Sequence, residues 1–509
     1  MENAIELIDI TKSFGEVIAN KNINLTIKKG EILALLGENG SGKTTLMNML
    51  SGIYRPDSGK ILINGTEVEI KNPRDSFKYG IGMIHQHFKL VETFTALENI
   101  ILGLNEKFIL DKQEVSKKIV ELMNTYGLEI DPFKKVYDMS VSEKQTVEII
   151  KVLYRGANCL ILDEPTAVLT PQETEKLFNV LRNMRNAGKP IVIITHKLNE
   201  VLSLSDRVSI LRKGEYIDTV NTKDANEEIL TELMVGKKVE LNINRTEPKN
   251  QKIRLKISNL TVLNQYGIKA LDNVSFEAYS GEILGIAGIA GSGQKELLEA
   301  IAGLQNISDG VIEYTDLDET KHDLIGKTPR FIKKLGISLA FVPEDRLGMG
   351  LVGSMGMADN MLIRSYRDGS TPFLEKKKPI ELAKEIKERL GVLTPDIKTP
   401  VRKLSGGNVQ KVLVGREIAN APSVLMTAYA VRGLDINTSY AIYNILNDEK
   451  EKGVAVIYVG EDLDVLLDLS DRIMVISDGV ITGIVDARKT TKQEIGALMV
   501  KGKEMHLDA

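Results

Sequence analysis

The feature that most constrains this chain is that it is written twice. VIANKNINLTIKKGEILALLGENGSGKTTLMNMLSG near the start pairs with IKALDNVSFEAYSGEILGIAGIAGSGQKELLEAIAG in the middle. Gly288 follows Gly37 by 251 positions, whereas Ser405 follows Ser140, and Ser470 follows Ser205, by 265. The register is therefore constant over the last third of each copy. The second copy gains its 14 additional residues earlier, largely in polar stretches such as TDLDETKHDLIGKTPR. A period this long is no solenoid repeat; it is a whole domain duplicated. The pattern predicts a domain over 1–241, a polar linker NINRTEPKNQ over 242–251 and a second domain over 252–509.

At 509 residues the chain is too long for one core, and 43% hydrophobic with 27% charged residues is ordinary globular composition. No apolar run reaches the roughly 18 residues that cross a bilayer. MENAIELIDI carries no secretory pattern, so a cytoplasmic protein is expected. A net charge of −4 with scattered Lys and Arg gives no footprint for nucleic acid. The single cysteine, Cys159 in CLILD, reads as a buried structural thiol.

Within each copy, short apolar runs alternate with helical patterns. ILALL, ANCLILD and PIVIITH read as buried parallel strands, and ETEKLFNVLRNMRNAG as an amphipathic helix closed by Gly188. The expectation is an α/β domain with a mostly parallel sheet.

Gly37-Glu38-Asn39-Gly40-Ser41-Gly42-Lys43-Thr44 follows the strand EILALL and opens the helix TTLMNMLSGI, the context a P-loop requires. Its glycines let backbone N–H groups close on phosphate oxygens, and the helix N-terminus adds positive potential. Lys43 reaches for the β- and γ-phosphates, and Thr44 is a Mg²⁺ ligand. Downstream, LILDEP ends an apolar strand in Asp163 and Glu164, which point in opposite directions if the strand continues. Asp163 suits Mg²⁺ through its water shell, and Glu164 suits the base that orients and deprotonates water.

These motifs, over essentially the whole chain, resemble the ATPase family of ABC transporters. The resemblance implies two P-loop NTPase domains, each with a mostly parallel sheet core, an antiparallel β subdomain and a helical subdomain. It implies that Gln86, in GMIHQHF, senses Mg²⁺ and a transmembrane partner. It implies that His196 is the switch histidine at the γ-phosphate and that Phe14 stacks on adenine. Taken alone, His196 reads as a strand-end histidine and Phe14 as a core residue; His85 and His87 read as structural. The implied catalytic set is Glu164, His196, Gln86 and Lys43, with Thr44, Gln86 and Asp163 on Mg²⁺. The implied ATP cradle is Phe14, Gly37 to Thr44, that is Gly37, Glu38, Asn39, Gly40, Ser41, Gly42, Lys43 and Thr44, and also Thr45.

The second copy is disarmed position by position. Gln294 stands for Lys43 and Lys295 for Thr44; Ala428 and Tyr429 stand for Asp163 and Glu164; Glu461 stands for His196 and Glu344 for Gln86. Lys295 lies one residue, and hence about 100°, further round the helix and does not replace Lys43. Yet this copy keeps Leu404-Ser405-Gly406-Gly407-Asn408, close to the family's LSGGQ signature, where the first copy has Ser140-Val141-Ser142-Glu143. In such ATPases the signature of one domain covers ATP held by the other's P-loop. The departures then segregate. One site is complete, the first P-loop facing Ser405, Gly406, Gly407 and Asn408. The other is degraded on both faces: Gly288, Gly291, Gly293, Gln294, Lys295, Glu344, Tyr429 and Glu461 facing Ser140, Ser142 and Glu143.

An intact first half with VPEDR (Arg346) and Arg432-Gly433-Leu434-Asp435 in the second resembles the ATPases of sugar and nucleoside importers. IGMIHQHFKLVETFTALENIILG and DEPTAVLTPQE lean to the nucleoside branch, with monosaccharide import as the alternative. Ser142, for glycine, and Tyr429-Ala430, for Gln-Pro, depart from the family pattern in the degraded site. The resemblance implies ATP and Mg²⁺, two transmembrane permease subunits and, indirectly, an extracytoplasmic solute-binding lipoprotein. It implies a place on the cytoplasmic face of the membrane and leaves open a second copy in the assembly. A tandem ATPase acting on ribosomes would want two working sites and a long basic helical linker; a DNA-repair ATPase would want a coiled-coil insertion or zinc cysteines. A regulator without turnover has no need of Glu164 and His196.

Overall fold

The computed structural model describes residues 2–15, 17–86, 88–104, 112–236, 242–249, 251–264, 267–289, 291–341, 346–366, 374–419, 421–432 and 434–505. The chain forms two compact units, Met1–Glu240 and Leu241–Ala509.

In the first unit the central sheet has six strands in the order Glu215–Asn221, Arg207–Arg212, Ile32–Leu36, Ile191–Ile194, Cys159–Asp163, Ile81–Ile84. All neighbours run parallel except the edge hairpin of the first two. The three middle strands are buried along their whole length, which is why they read as unbroken apolar runs rather than alternating ones. A four-stranded antiparallel sheet, Val17–Lys28, Asn3–Phe14, Ser58–Ile63, Thr66–Val68, shares a core with the P-loop helix Lys43–Leu50. The helices Ala96–Ile101, Lys112–Tyr126 and Val141–Tyr154 pack into a second cluster on the other face of the sheet.

The second unit repeats this plan strand for strand. Its six-stranded sheet runs Val480–Asp486, Arg472–Ser477, Ile283–Ala287, Ala455–Val459, Val424–Ala428, Ile337–Phe341. Its antiparallel sheet runs Lys269–Tyr279, Ile253–Leu263, Ile307–Thr315, Lys321–Asp323. Part of the additional length forms a wider hairpin, where Asp316 accepts from the amides of Asp318 and Thr320, both at 2.9 Å, and meets His322 at 2.9 Å.

The polar stretch after the first unit does not hang free where it is described. Arg245 donates to the carbonyls of Leu467 and Ser470 at 2.8 and 2.5 Å, closing the end of the helix Leu463–Leu469. Buried Lys450 bonds the carbonyl of Thr246 and pairs with Asp471. Composition alone reads as flexible spacer; the fixed partners lie some 200 residues onward. Among the described residues no helix is long and apolar enough to cross a membrane.

Candidate active site

The first P-loop joins the strand Ile32–Leu36 to the helix Lys43–Leu50 at the carboxyl ends of the parallel strands. Gly42 caps the helix at φ 96°, and a Cβ there would collide with the Ala19 carbonyl and the Asn20 side chain. Only glycine permits that turn together with that approach. Lys43 folds back over the loop and donates to the carbonyls of Gly37 at 2.7 Å and Glu38 at 3.0 Å. Burial pulls its ammonium below the usual lysine range, against the opposing charges of Glu164, Asp163 and Glu38. The Ser41 hydroxyl lies buried in the loop with no hydrogen-bond partner among the described residues, a need that a phosphate oxygen would satisfy.

Asp163 ends its strand 3.5 Å from the Thr44 hydroxyl. Burial and the adjacent Glu164 charge push its carboxyl up to about 6. A carboxylate held so uneasily beside a threonine hydroxyl suits a hard cation, and Mg²⁺ with its phosphates meets that chemistry. Glu164 departs from the expected alternation. The strand stops at Asp163, and Glu164 takes a left-handed backbone at φ 46°. That turn brings its carboxylate to Gln86 Nε2 at 3.0 Å and His196 Nδ1 at 2.9 Å. Burial opposes its ionisation, but the His196 bond and the Lys43 charge outweigh it and keep Glu164 below the usual range. Lys43, Thr44, Gln86, Asp163, Glu164 and His196, spread over 153 positions of sequence, thus form one constellation.

Phe14 stands apart from them, 44% exposed at the tip of its hairpin. Tyr54 meets it edge-on at 5.1 Å and 72°, an arrangement aromatic pairs favour. The sequence reading passed over Tyr54, whose only signal is its place just beyond the P-loop helix. It also passed over Glu200, which joins Lys197, the residue after His196, at 3.1 Å and the Thr166 hydroxyl at 2.6 Å.

The second copy keeps the scaffold and loses the charges of Lys43, Asp163 and Glu164. Gly293 caps the helix Gln294–Ile301 at φ 106°. Buried Gln294 bonds the Ile289 carbonyl at 3.0 Å, the counterpart of the Lys43 bond to Glu38, so a neutral amide closes the loop where an ammonium did. Lys295 turns along the helix toward Glu299 at 3.7 Å. Tyr429 repeats the left-handed turn at φ 53°; burial and the Glu461 charge raise its phenol above the usual range. Arg432 lies 6.0 Å from the Tyr429 ring and 3.4 Å from Glu461, bridging the positions of base and switch. Glu344, His87 and Gly433 lie outside the described residues.

The two signature segments differ in what their helix ends leave open. Ser140 caps Val141–Tyr154 in a reciprocal box: its hydroxyl takes the Glu143 amide at 3.2 Å and its amide donates to Glu143 at 2.7 Å. Lys134 grips Glu143 at 2.8 Å. Although burial works against it, that pairing keeps the carboxyl below the usual range. This terminus is therefore filled and anionic at its tip. Ser405 makes no side-chain cap on Gly406–Ile418. Its hydroxyl receives Asn408 Nδ2 at 2.8 Å, while Asn408 Oδ1 takes the Leu393 amide at 2.8 Å. With Ser405 and Gly406 exposed, this helix end presents its first-turn amides to an incoming anion.

A family model described as ABC transporter matches residues 20–167 and again 271–427. The nucleoside import ATP-binding protein NupA of Lactococcus lactis is 42% identical over 98% of this chain and 99% of its own length. The guanosine import ATP-binding protein NupO of Bacillus subtilis is 42% identical over 98% of each chain. The ribose import ATP-binding protein RbsA 1 of Streptomyces avermitilis is 35% identical over 100% of this chain and 96% of its own.

Proposed function

The chain belongs to the ATP-binding family of ABC transporters, and from that premise we propose that it powers import of nucleosides, hydrolysing ATP at one site built on its first half. It binds and hydrolyses ATP and works with membrane permeases, as this family does. The Glu164 carboxylate held between Gln86 and His196 is the observation that carries the single-site reading. Its counterpart is a tyrosine.

In the proposed reaction the P-loop amides, Ser41 and Lys43 hold the phosphates. Lys43 exchanges its two carbonyl partners for phosphate oxygens. Thr44, Asp163 and Gln86 would hold Mg²⁺, which would supply positive charge against the phosphate oxygens. Glu164 orients water and takes its proton; His196 fixes the carboxylate and meets the γ-phosphate. Phe14 and Tyr54 receive the base. The open terminus at Ser405, Gly406, Gly407 and Asn408 is suited to accept a γ-phosphate, the role its signature has by resemblance to the family, and hydrolysis would remove that anion. The degraded positions Gly288, Gly291, Gly293, Gln294, Lys295, Tyr429 and Glu461, and the filled terminus at Ser140, Ser142 and Glu143, are not suited to hydrolysis.

The proposal places the chain on the cytoplasmic face of the membrane, against two permease subunits supplied by an extracytoplasmic binding protein. Nucleosides are favoured by the full-length likeness to NupA and NupO at 42% against 35% for the ribose relative. Uptake of labelled nucleosides and of ribose and galactose, by cells with and without this chain, tests it. Loss of nucleoside uptake alone is expected; loss of sugar uptake alone transfers the chain to the sugar branch.

A further inference from the structure

In the first unit, the exit of the loop that carries Gln86 is gripped by one turn of the helix Val141–Tyr154. Glu148 accepts the Lys89 amide at 2.7 Å. Lys151 donates to the Lys89 carbonyl at 3.0 Å, and the two side chains meet at 3.4 Å. Glu148 is buried, 7% exposed; the Arg155 guanidinium also faces it, as does the His85 imidazole, whose charged form burial disfavours. Two side chains of one helical turn thus hold both backbone groups of one residue, fixing its orientation as well as its place. Three residues earlier, Gln86 donates to Glu164. The loop is anchored on the proposed base at one end and on the signature helix at the other.

A second anchor lies further along and is common to both copies. Asn99 takes the Val91 amide at 2.8 Å, and Asn360 takes the Val352 amide at 2.8 Å. The grip is common only in its carbonyl half. At the place of Glu148 the second copy has Leu413, buried in an apolar cluster. At the place of Lys151 it has Arg416, which donates to the carbonyl of Gly350, the counterpart of Lys89, at 3.0 Å and also to Glu417. Among the described residues the carboxylate half of the grip, Glu148 on the Lys89 amide, accompanies the half that keeps Glu164.

We propose that Glu148 and Lys151 are positioning residues for hydrolysis: by gripping Lys89 they fix the reach of Gln86 to the Glu164 carboxylate and tie it to movement of the signature helix. This rests on the first P-loop being the hydrolytic site. A loop released at Lys89 would still bind ATP through the P-loop but would present Gln86 in a wider spread of positions. The cost then falls on kcat rather than KM.

The test is a double-mutant cycle on the chain assembled with its permeases: Gln86→Ala, Glu148→Ala and the pair. We expect Gln86→Ala to lower kcat roughly 10-fold and Glu148→Ala roughly 5-fold, with KM for ATP and the thermal midpoint little changed. The pair should fall within about 2-fold of Gln86→Ala alone, because the grip acts through that glutamine. Glu148→Gln should recover most of the rate, since an amide oxygen still accepts from Lys89. If Glu148→Ala folds poorly, Lys151→Met removes the other half of the grip and should show the same dependence on Gln86. Losses that multiply, or full kcat in Glu148→Ala, would overturn the proposal and leave the site reading intact. Full kcat in Gln86→Ala would overturn both.

Discussion

Glu164 and Tyr429 stand at the same place in the two halves with the same left-handed backbone, φ 46° and 53°. Each donates its amide to the neighbouring strand, Glu164 to Ile194 and Tyr429 to Val459. A strained conformation kept in both halves, although only one of them has a carboxylate there, belongs to the scaffold. Restoring the carboxylate alone should therefore not restore a site. Placing Tyr429→Glu in a Glu164→Gln background is expected to leave turnover at background, because Ala428 and Gln294 still lack the metal ligand and the phosphate cation. Steady-state phosphate release measures it; recovery of turnover would show that the second half lacks only its base.

The contrast between the signature helix ends predicts an asymmetric response to exchange. Gly407→Ser puts the first copy's residue into the open terminus, where a Cβ already meets Asp435 at 3.4 Å. It should lower turnover by about 10-fold or more, because the added side chain holds the first-turn amides away from the phosphoryl group; losing one such donor outright costs about 10² to 10³. Ser142→Gly leaves the Ser140–Glu143 box and the Lys134 pair in place, so it should change turnover by less than about 2-fold. Side-by-side ATPase assays of the two variants decide.

Burial pushes the Cys159 thiol up to about 12, so the folded state retains its proton where the unfolded chain loses it. Stability from this group is intact below the unfolded thiol value near 9 and is lost as pH rises from there toward 12. Each unit of pH in that window should cost wild type about 1.4 kcal/mol relative to Cys159→Ala. Denaturant midpoints of the two proteins at pH 8, 9 and 10 measure the difference. Parallel curves would mean that the thiol is not sequestered.

How much of this could be read beforehand depended on how local the physics is. Glycine spacing, a lysine and a hydroxyl at a helix start are determined within eight residues, so the P-loop and its decay to Gln294 were legible. The buried strands were legible because parallel sheets require unbroken apolar runs. The turn at Glu164 was not, because a glutamate with positive φ is imposed by the strand and loops around it. Nor was the difference between Ser140 and Ser405, which lies in partners: Glu143 reaches back to cap its own helix, whereas Asn408 reaches to Leu393. The polar stretch around Arg245 reads as spacer because its anchors at Leu467 and Ser470 lie in another part of the chain. The grip on Lys89 spans about 60 positions and is invisible to any motif.

The most direct measurement is steady-state ATP hydrolysis by the permease-assembled chain carrying Glu164→Gln, beside Glu461→Ala. Removal of a general base costs about 10² to 10⁴ in rate, so the first variant should fall to near background while the second keeps most of the wild-type rate. Substantial turnover by Glu164→Gln, or its collapse in Glu461→Ala with Glu164 intact, would contradict a single hydrolytic site on the first half.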